Sequence, residues 1–383
     1  MREAACNIFL IFLFLYINFY ISMIRATIFS IAFIFSSVKC FAQETGCFKT
    51  ETDNSLSLET NIDFSKYDAF FVGEFHGVYA TPEIKLALIK YVNQHNGITD
   101  VFMEIGLSAA FLYNAYLTTG DTTLITQPLL LYRYKRPEID FWKRLYEYNK
   151  TLDHKITIRG MDFERVEFLK VLKMLMPMGK DEPAEIATTL SFIDTINMNR
   201  ISYQDDIQDS IYENIRSVMK QHTDACAQYY GANFSIVADI LFNENTFKRF
   251  GMRNKTMYHN MLKQIAECGI KKLVTFNGVQ HAMKDKGILC GDLNRNKAFK
   301  NKLADITFTC ENCYDYNGTF SHPGGTTRAF EAPYRKGVDM SDEYSKYFNN
   351  ACKYTLVPSS VSDKRQVRKY SDYIILIKDQ PKF

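Results

Sequence analysis

The chain has 383 residues, of which 46% are hydrophobic and 23% are charged, and its formal net charge is +3. This length and composition suffice for a globular core in one large domain or two smaller ones, and they exclude a disordered or fibrous protein. Because the charge is nearly balanced, no nucleic acid partner is expected.

Residues 1–42 differ in composition from the rest of the chain. Ile8 to Ile21 is almost wholly apolar, and Thr27 to Val38 is apolar again. Starting at Met23, a basic residue, an apolar run and the small residue Ala42 form the pattern of a secretory signal. We predict a signal peptide or an N-terminal membrane segment here, and an exported protein in the periplasm or outside the cell. If the segment is not cleaved, it anchors the protein; otherwise the N-terminus gives only transient membrane association.

Residues 43–163 alternate between strand and helix signals. A polar linker precedes a buried-strand run at Asp68 to Val72. Thr81-Pro82-Glu83 then predicts a helix start, with Thr81 as the cap, and Asn96-Gly97 predicts its end. The other predicted elements are a strand at Asp100 to Ile105, helices at Leu107 to Leu117 and at Pro137 to Leu152, and a strand at Lys155 to Arg159. We assign this segment to the first part of an α/β core.

Residues 164–268 show helical periodicity without a strand pattern, which predicts a helical insertion. Its longer helices are expected at Asp205 to Cys226 and at Phe250 to Ala266. Residues 269–383 return to the sheet pattern and form the second part of the core. This part has predicted strands at Lys272 to Phe276, at Leu303 to Thr309 and, as an antiparallel edge, at Ser371 to Lys378, with a turn into a helix at Gly278 to Lys284.

The alternation of strands and helices predicts an α/β fold. We expect a mainly parallel sheet covered by helices on both faces, with the helical insertion walling the active-site cleft. In open sheets of this kind, ligands bind outside the carboxyl ends of the strands. The residues that follow each strand are therefore the first candidates for a functional site.

Polar side chains follow four of the predicted strands. Glu74 and His76 follow the first strand, and Glu104 and Asp162 end the second and third. His281 follows the fourth. Because side chains at i and i+2 of an extended chain lie on one face, Glu74 and His76 can point together. The expected site therefore gathers these five side chains at one edge of the sheet.

Glycines flank the first pair, since Gly73 precedes Glu74 and Gly77 follows His76. We expect them to leave the backbone free to bend and to let a ligand approach closely. Each polar residue alone has a structural alternative, such as a helix cap, a salt bridge or a solvated loop. Their joint position at the strand ends favours a function.

Two histidines and several carboxylates in one crevice are compatible with three kinds of chemistry. They can hold a divalent metal that keeps a position open for water, with Glu74, His76, Glu104 and His281 as ligands. They can instead hydrolyse a substrate without a metal, with one histidine as base and a carboxylate fixing its tautomer. A histidine can also bind haem iron. The sequence leaves the cofactor unassigned, with a divalent metal and haem both open.

One further loop is a candidate for substrate contact. His322 lies in Ser321-His322-Pro323-Gly324-Gly325, which follows a strand and could fold over the site. We group His322 with Asp162 as candidate substrate-binding residues. The sequence contains neither a glycine-flanked serine elbow nor a glycine-rich phosphate loop.

The cysteines suggest a disulfide rather than a metal centre. Seven of the nine cysteines lie beyond residue 42, so they cannot all form pairs with one another. Cys310 and Cys313 have the spacing of zinc ligands, but no second pair of that kind accompanies them. In an exported chain, a disulfide is the better interpretation of this pair.

These motifs together resemble one known superfamily, which joins the erythromycin esterases, the ChaN-type haem-binding uptake proteins and the Tiki/TraB proteins. The stretches Gly73-Glu74-Phe75-His76 and Gly278-Val279-Gln280-His281 look most like the ChaN branch. The stretch from Trp142 through Tyr148-Asn149 to Gly160-Met161-Asp162 looks more like the esterase branch. The likeness covers about Asp68 to Leu293. The chain departs from the esterases in having only Phe75 between Glu and His, and from ChaN proteins in having Gly77 where Asp is common.

Each branch implies a different use of the same residues. The esterases imply that His76 activates water, with Glu74, Glu104 and His281 in support. The Tiki branch implies a metal site for peptide hydrolysis, and the ChaN branch implies a haem pocket. Our hypothesis is a hydrolase of an ester or amide bond in a small molecule or peptide, with or without a metal. The alternative is a non-catalytic haem-binding protein of the cell envelope.

Overall fold

The core of the molecule is a single nine-stranded sheet. It is seen in a computed structural model that describes residues 44–76, 78–125, 136–196, 205–243, 250–311, 347–349, 351–361 and 371–378. The strands in chain order are β1 (Gly46–Thr50), β2 (Leu56–Thr60), β3 (Ala69–Glu74), β4 (Asp100–Met103), β5 (Thr157–Gly160), β6 (Leu273–Gly278), β7 (Leu303–Glu311), β8 (Tyr354–Pro358) and β9 (Tyr373–Lys378).

The sheet is parallel over most of its width. Its order is β2-β1-β8-β9-β7-β3-β6-β4-β5, and every neighbouring pair from β9 to β5 is parallel. The pairs β2–β1, β1–β8 and β8–β9 are antiparallel. The mainly parallel α/β sheet is therefore confirmed. The prediction that the last strand is an edge is wrong, because β9 lies inside the sheet between β7 and β8.

The antiparallel flank was not expected from the sequence. Strands β1 and β2 form a hairpin in the segment that reads as a polar linker, and β8 precedes the last strand. A disulfide between Cys47 of β1 and Cys352 joins this flank to the segment before β8. The predicted pairing of Cys310 with Cys313 stays a prediction, since Cys313 lies outside the described residues.

Ten helices lie among the described residues. They are α1 (Thr81–Asn96), α2 (Leu107–Thr119), α3 (Arg136–Thr151), α4 (Glu167–Leu175), α5 (Ala187–Thr195), α6 (Asp205–Gln221), α7 (Thr223–Tyr230), α8 (Phe234–Phe242), α9 (Phe250–Cys268) and α10 (Leu289–Arg295). Helix α6 ends before Cys226 because His222 leaves the helical region, with φ −115° and ψ 45°. The turn predicted after β6 is a 3-10 turn, Val279–His281.

Helix α1 follows the strand that carries the first candidate residues. Pro82 lies in its first turn, and Gly97 ends it with a left-handed φ of 68°. The predicted capping role of Thr81 is wrong. Thr81 is already helical, and its hydroxyl donates a hydrogen bond to the carbonyl of Phe75 at 2.8 Å. This bond ties the helix start to the loop that holds His76.

Helices cover both faces of the sheet, as predicted. Side chains alternate along β3, so Phe70 and Val72 join one apolar cluster that includes residues of α1 to α8. Phe71 points to the opposite face, where it packs in a second cluster with Met257 and Met261 of α9. The helices of the predicted insertion therefore contribute to both layers.

The described residues from Thr45 onward form one compact unit. Between β5 and β6, the described residues contain helices and no strand, and the boundaries of the insertion at 164 and 268 stay predictions. Among the described helices, none is both long and apolar enough to cross a membrane. The predicted signal peptide or anchor lies outside the described residues.

Candidate active site

The residues predicted at the strand ends meet in the fold. Glu74 is the last residue of β3, and its Oε1 lies 3.4 Å from His76 Nδ1. The other ring nitrogen, His76 Nε2, lies 3.4 Å from Glu104 Oε2. Glu104 Oε1 in turn lies 3.5 Å from His281 Nε2. Glu104 therefore bridges the two histidines through its two oxygens.

Solvent exposure separates His76 from its neighbours. Half of its side chain is exposed, whereas those of Glu74 and Glu104 are 7% and 10% exposed. His281 is buried, with 3% of its side chain exposed. His76 is thus the solvent-accessible member of this group; Glu74 and Glu104 flank its ring, and His281 contacts Glu104.

A buried lysine lies behind Glu74. The Nζ of Lys85, on α1, lies 3.2 Å from Oε1 and 3.1 Å from Oε2 of Glu74. The ammonium also lies 5.4 Å and 5.8 Å from the ring centroids of Phe141 and Phe276. Burial opposes the charged form of both partners. Their mutual attraction outweighs it, so the pKa of Glu74 is lowered and the pKa of Lys85 is raised.

An arginine of the helical insertion joins Glu104 to Asp162. Arg253 Nη2 lies 2.5 Å from Glu104 Oε1, and its Nε and Nη2 lie 3.0 Å and 2.5 Å from the two oxygens of Asp162. The planar guanidinium suits this two-pronged contact. Asp162 is only 2% exposed, and both of its oxygens accept bonds from Arg253. Asp162 therefore holds Arg253 in place, and its role in substrate binding stays a prediction.

The charges of this site alternate in sign when His76 is protonated. The order is Lys85, Glu74, His76, Glu104, Arg253 and Asp162. Partial burial of the ring opposes its charged form. The hydrogen bonds and charges of Glu104 and Glu74 outweigh this and raise the pKa of His76 to about 10. Burial also opposes ionisation of Glu104, but His281 and His76 hold its pKa well below the usual value.

Gly278 lets the central contact form. A Cβ at this position would lie 2.9 Å from His76 Nε2 and 3.3 Å from Glu104 Oε2. The two side chains meet above this residue because it has no side chain of its own. Its N–H also donates a hydrogen bond to Glu104 Oε2 at 2.6 Å. The end of β6 thus fixes one oxygen of the bridging carboxylate.

Gly73 serves the fold rather than a ligand. A Cβ on Gly73 would lie 2.5 Å from the Cβ of Ala282, the residue after His281. The turn that carries His281 therefore sits directly on the backbone of β3. This corrects the expectation that Gly73 lets a ligand approach closely. Gly77 lies outside the described residues.

The loops that follow β4 and β5 are joined to each other. The carbonyl of Ile105 accepts the backbone N–H groups of Met161 and Asp162, at 2.8 Å and 2.9 Å. The side chain of Glu164 accepts the backbone N–H of Leu107 at 2.6 Å, and so caps the N-terminus of α2 from a separate segment. These contacts fix the relative positions of the two loops that bear the site carboxylates.

The arrangement fits neither a divalent metal nor haem. Across the described ranges, no group of three or more His, Cys, Asp and Glu side chains is arranged to hold a metal ion. Lys85 and Arg253 already supply positive charge to Glu74 and Glu104, so a metal would have to displace both. A histidine that binds haem iron needs a ring nitrogen directed into open space, whereas both nitrogens of His76 face carboxylates.

Sequence reasoning missed three residues of this site. Lys85 had a usable signal, because it follows the buried spacing of Thr81, Leu88 and Val92 on α1. Arg253 and Asn254 had none, since nothing near them in the sequence indicates what they contact. Asn254 Oδ1 lies 2.8 Å from His281 Nδ1.

The remaining predicted site residue, His322, lies outside the described residues. Its role in substrate binding stays a prediction.

The fold and the site together define a class of protein. It is an α/β protein whose site, at the carboxyl edge of a parallel sheet, holds a histidine between two buried carboxylates. A sequence comparison finds no matching protein-family model and no matching curated protein. Comparison with solved structures does find this fold.

The erythromycin esterase EreC, in a mutant form and an open conformation, matches with a TM-score of 0.51 at 12% identity, over 82% of this chain and 91% of that chain. A succinoglycan biosynthesis protein matches with a TM-score of 0.51 at 14% identity, over 82% and 88%. ChaN of Campylobacter jejuni, with cofacial haem, reaches a TM-score of 0.32 at 9% identity, over 86% and 96%. The first two matches show that the chain has the fold of the erythromycin esterase, as the resemblance predicted.

Proposed function

We propose that the protein hydrolyses an ester or amide bond and that His76 activates the attacking water. The observation that carries this proposal is the half-exposed ring of His76 between two carboxylates that are at most 10% exposed, each paired with a largely buried cation. A carboxylate beside a catalytic histidine orients the ring and stabilises the imidazolium that forms during the reaction. Two anchored carboxylates fit that requirement.

The residues suggest a sequence of proton transfers. The neutral His76 ring takes a proton from water while the water oxygen bonds to the carbonyl carbon of the substrate. The imidazolium then gives that proton to the leaving oxygen or nitrogen as the carbonyl re-forms. Glu74 and Glu104 stabilise the positive charge of the ring between these steps. Lys85 and Arg253 hold the two carboxylates in place, while Lys85 favours the ionised form of Glu74 and His281 that of Glu104.

We further propose that the protein acts outside the cytoplasm on a small molecule or peptide. The disulfide between Cys47 and Cys352 supports export, because disulfides persist in oxidising compartments. Cell fractionation tests this, with the protein expected in the periplasm or the medium, or in the membrane fraction if its N-terminus is uncleaved. Recovery in the cytoplasm alone would contradict it.

The test of the proposed activity uses the full chain with a panel of ester and peptide substrates. His76→Gln should lower kcat/KM by about 10²–10⁴-fold, because it removes the base. Glu74→Gln should also lower kcat/KM, because it removes one carboxylate that stabilises the imidazolium. His154→Gln is the matched control at an exposed histidine, and its activity should not change.

The pH dependence of kcat/KM provides a sharper test. A base must be deprotonated to act, and the pKa of His76 is raised to about 10. Activity should therefore rise with pH through the neutral range and level off near that pKa.

Full activity in His76→Gln would show that His76 is not the base. Haem binding whose Soret shift disappears in His76→Gln would replace the hydrolase with the haem-binding alternative.

A further inference from the structure

Asn254 lies directly behind the site, on the first turns of α9. Its side chain is fully buried. Its Oδ1 lies 2.8 Å from His281 Nδ1 and 3.1 Å from the backbone nitrogen of Leu289. One amide oxygen thus contacts both ends of the loop from residue 282 to 288.

The backbone contact fixes which way the Asn254 amide faces. The N–H of Leu289 can only donate a hydrogen bond, so the atom that it meets must be the amide oxygen. That same oxygen lies against His281 Nδ1, and an amide oxygen can only accept. His281 Nδ1 therefore carries the proton in this contact, which fixes the tautomer of the neutral ring.

The tautomer decides what His281 presents to Glu104. With the proton on Nδ1, the nitrogen that faces Glu104 Oε1, 3.5 Å away, is the one left to take up a proton. An unprotonated nitrogen and a carboxylate both accept, so this contact is favourable only when a proton on Nε2 lies between them and the ring is an imidazolium. In that form His281 donates from Nδ1 to Asn254 and from Nε2 to Glu104, and its charge supports the ionised form of Glu104, whose other oxygen faces His76.

We propose that Asn254 is a positioning residue of this site: it holds His281 in the Nδ1-protonated tautomer and directs Nε2 to Glu104. The role of this contact in hydrolysis rests on the proposed function. The tautomer itself does not, because the hydrogen bonds alone define it. Arg253, the preceding residue, holds Glu104 and Asp162. Two consecutive residues of α9 therefore orient three side chains of the site.

The experiment reads the ring nitrogens of His281 directly. The full chain is labelled with ¹⁵N-histidine, and the signals of His281 are assigned by their loss in His281→Gln. At a pH where the ring is neutral, Nδ1 should show the shift of a protonated nitrogen and Nε2 that of an unprotonated one. Asn254→Asp keeps an accepting oxygen and should preserve this pattern. Asn254→Leu removes the oxygen and should abolish it.

Asn260→Leu is the matched control. Asn260 is also a buried amide on α9, and it donates a hydrogen bond to the carbonyl of Met161 at 3.1 Å. Its loss should lower stability without changing the His281 signals. A general disturbance of α9 would instead change these signals in both leucine variants, and that result would overturn the proposal.

Activity provides the second measurement. Asn254→Leu should lower kcat/KM by about 10–100-fold, as expected when a supporting group is misplaced, and Asn254→Asp should restore most of it. A proton on Nε2 in the neutral ring of the unmodified protein would overturn the proposal, even if Asn254→Leu fails to fold. If the tautomer is as expected but no substrate is hydrolysed, the proposed function fails while the positioning by Asn254 stands.

Discussion

The surroundings of His76 distinguish it from an ordinary surface histidine. Both of its ring nitrogens face carboxylates that are themselves held by Lys85 and Arg253. Because these cations are largely buried, they hold the carboxylates in place, and the carboxylates in turn fix the orientation of the ring. The spacing of Glu74 and His76 predicts that they meet. The charge of the ring depends on distant residues, so no local pattern could predict it.

The contact between His76 and Glu104 can be tested at Gly278. The backbone there has φ −53° and ψ 139°, which alanine adopts without strain. In Gly278→Ala, a methyl group would lie 2.9 Å from His76 Nε2 and would separate the ring from Glu104. We expect kcat/KM to fall at least about tenfold, while the free energy of unfolding changes by less than about 1 kcal/mol.

The control for this variant is Gly46→Ala. It crowds Leu58 and Leu356 at 3.0 Å on the antiparallel flank, several strands away from the site. Activity should be unchanged there. If Gly278→Ala folds and keeps full activity, the contact between His76 and Glu104 is not needed for the reaction.

At the scale of elements, strand ends can be predicted and helix crossings cannot. Strands β3 and β6 are buried at every residue, so both read as largely apolar runs; β3 ends at Glu74, and β6 leads into the turn that carries His281. Their order in the chain then places Glu74 and His281 at one edge. Helix α9 is different. Its apolar residues predict a buried face. The contact between Arg253 and Glu104, however, joins residues that are 149 positions apart, and it depends on how the helix crosses the edge of the sheet.

The link between the β4 and β5 loops can be tested at Glu164. Its carboxylate accepts the backbone N–H groups of Leu107 and Ser108 at the start of α2. Glu164→Gln replaces one accepting oxygen with an NH2 group, so one of these buried donors loses its partner. We expect the free energy of unfolding, measured by urea denaturation, to fall by about 1–3 kcal/mol.

Glu167→Gln is the control for the Glu164 variant, since Glu167 is also buried and burial raises the pKa of both groups, to about 7 for Glu167 and about 8 for Glu164. Within the described residues, the Glu167 oxygens accept no hydrogen bond, so its replacement should leave stability unchanged or slightly higher. An equal loss in both variants would mean that the cap on α2 contributes nothing specific.

At the scale of the molecule, the parallel part of the sheet could be predicted and the antiparallel flank could not. Most of the parallel strands lie inside the sheet and read as largely apolar runs. Strands β1 and β2 are short and partly exposed, so they read as a linker. Strand β8 lies among residues that show no alternation with helices. Because β8 is not recognisable in the sequence, the sequence does not indicate that β9 has a neighbouring strand on each side.

The disulfide between Cys47 and Cys352 should hold this flank on the sheet. It joins residues that are 305 positions apart, next to a ladder in which β1 pairs with only three residues of β8. Closing so long a loop strongly lowers the conformational entropy of the unfolded chain. The Cys47→Ala, Cys352→Ala double variant should therefore lose about 2–5 kcal/mol of stability in urea denaturation.

A reducing agent should lower the stability of the unmodified protein to the same value. The control variant Cys268→Ala, at an exposed free thiol, should be as stable as the unmodified protein. Equal stability of the oxidised protein and the double variant would show that the strand pairing alone holds the flank.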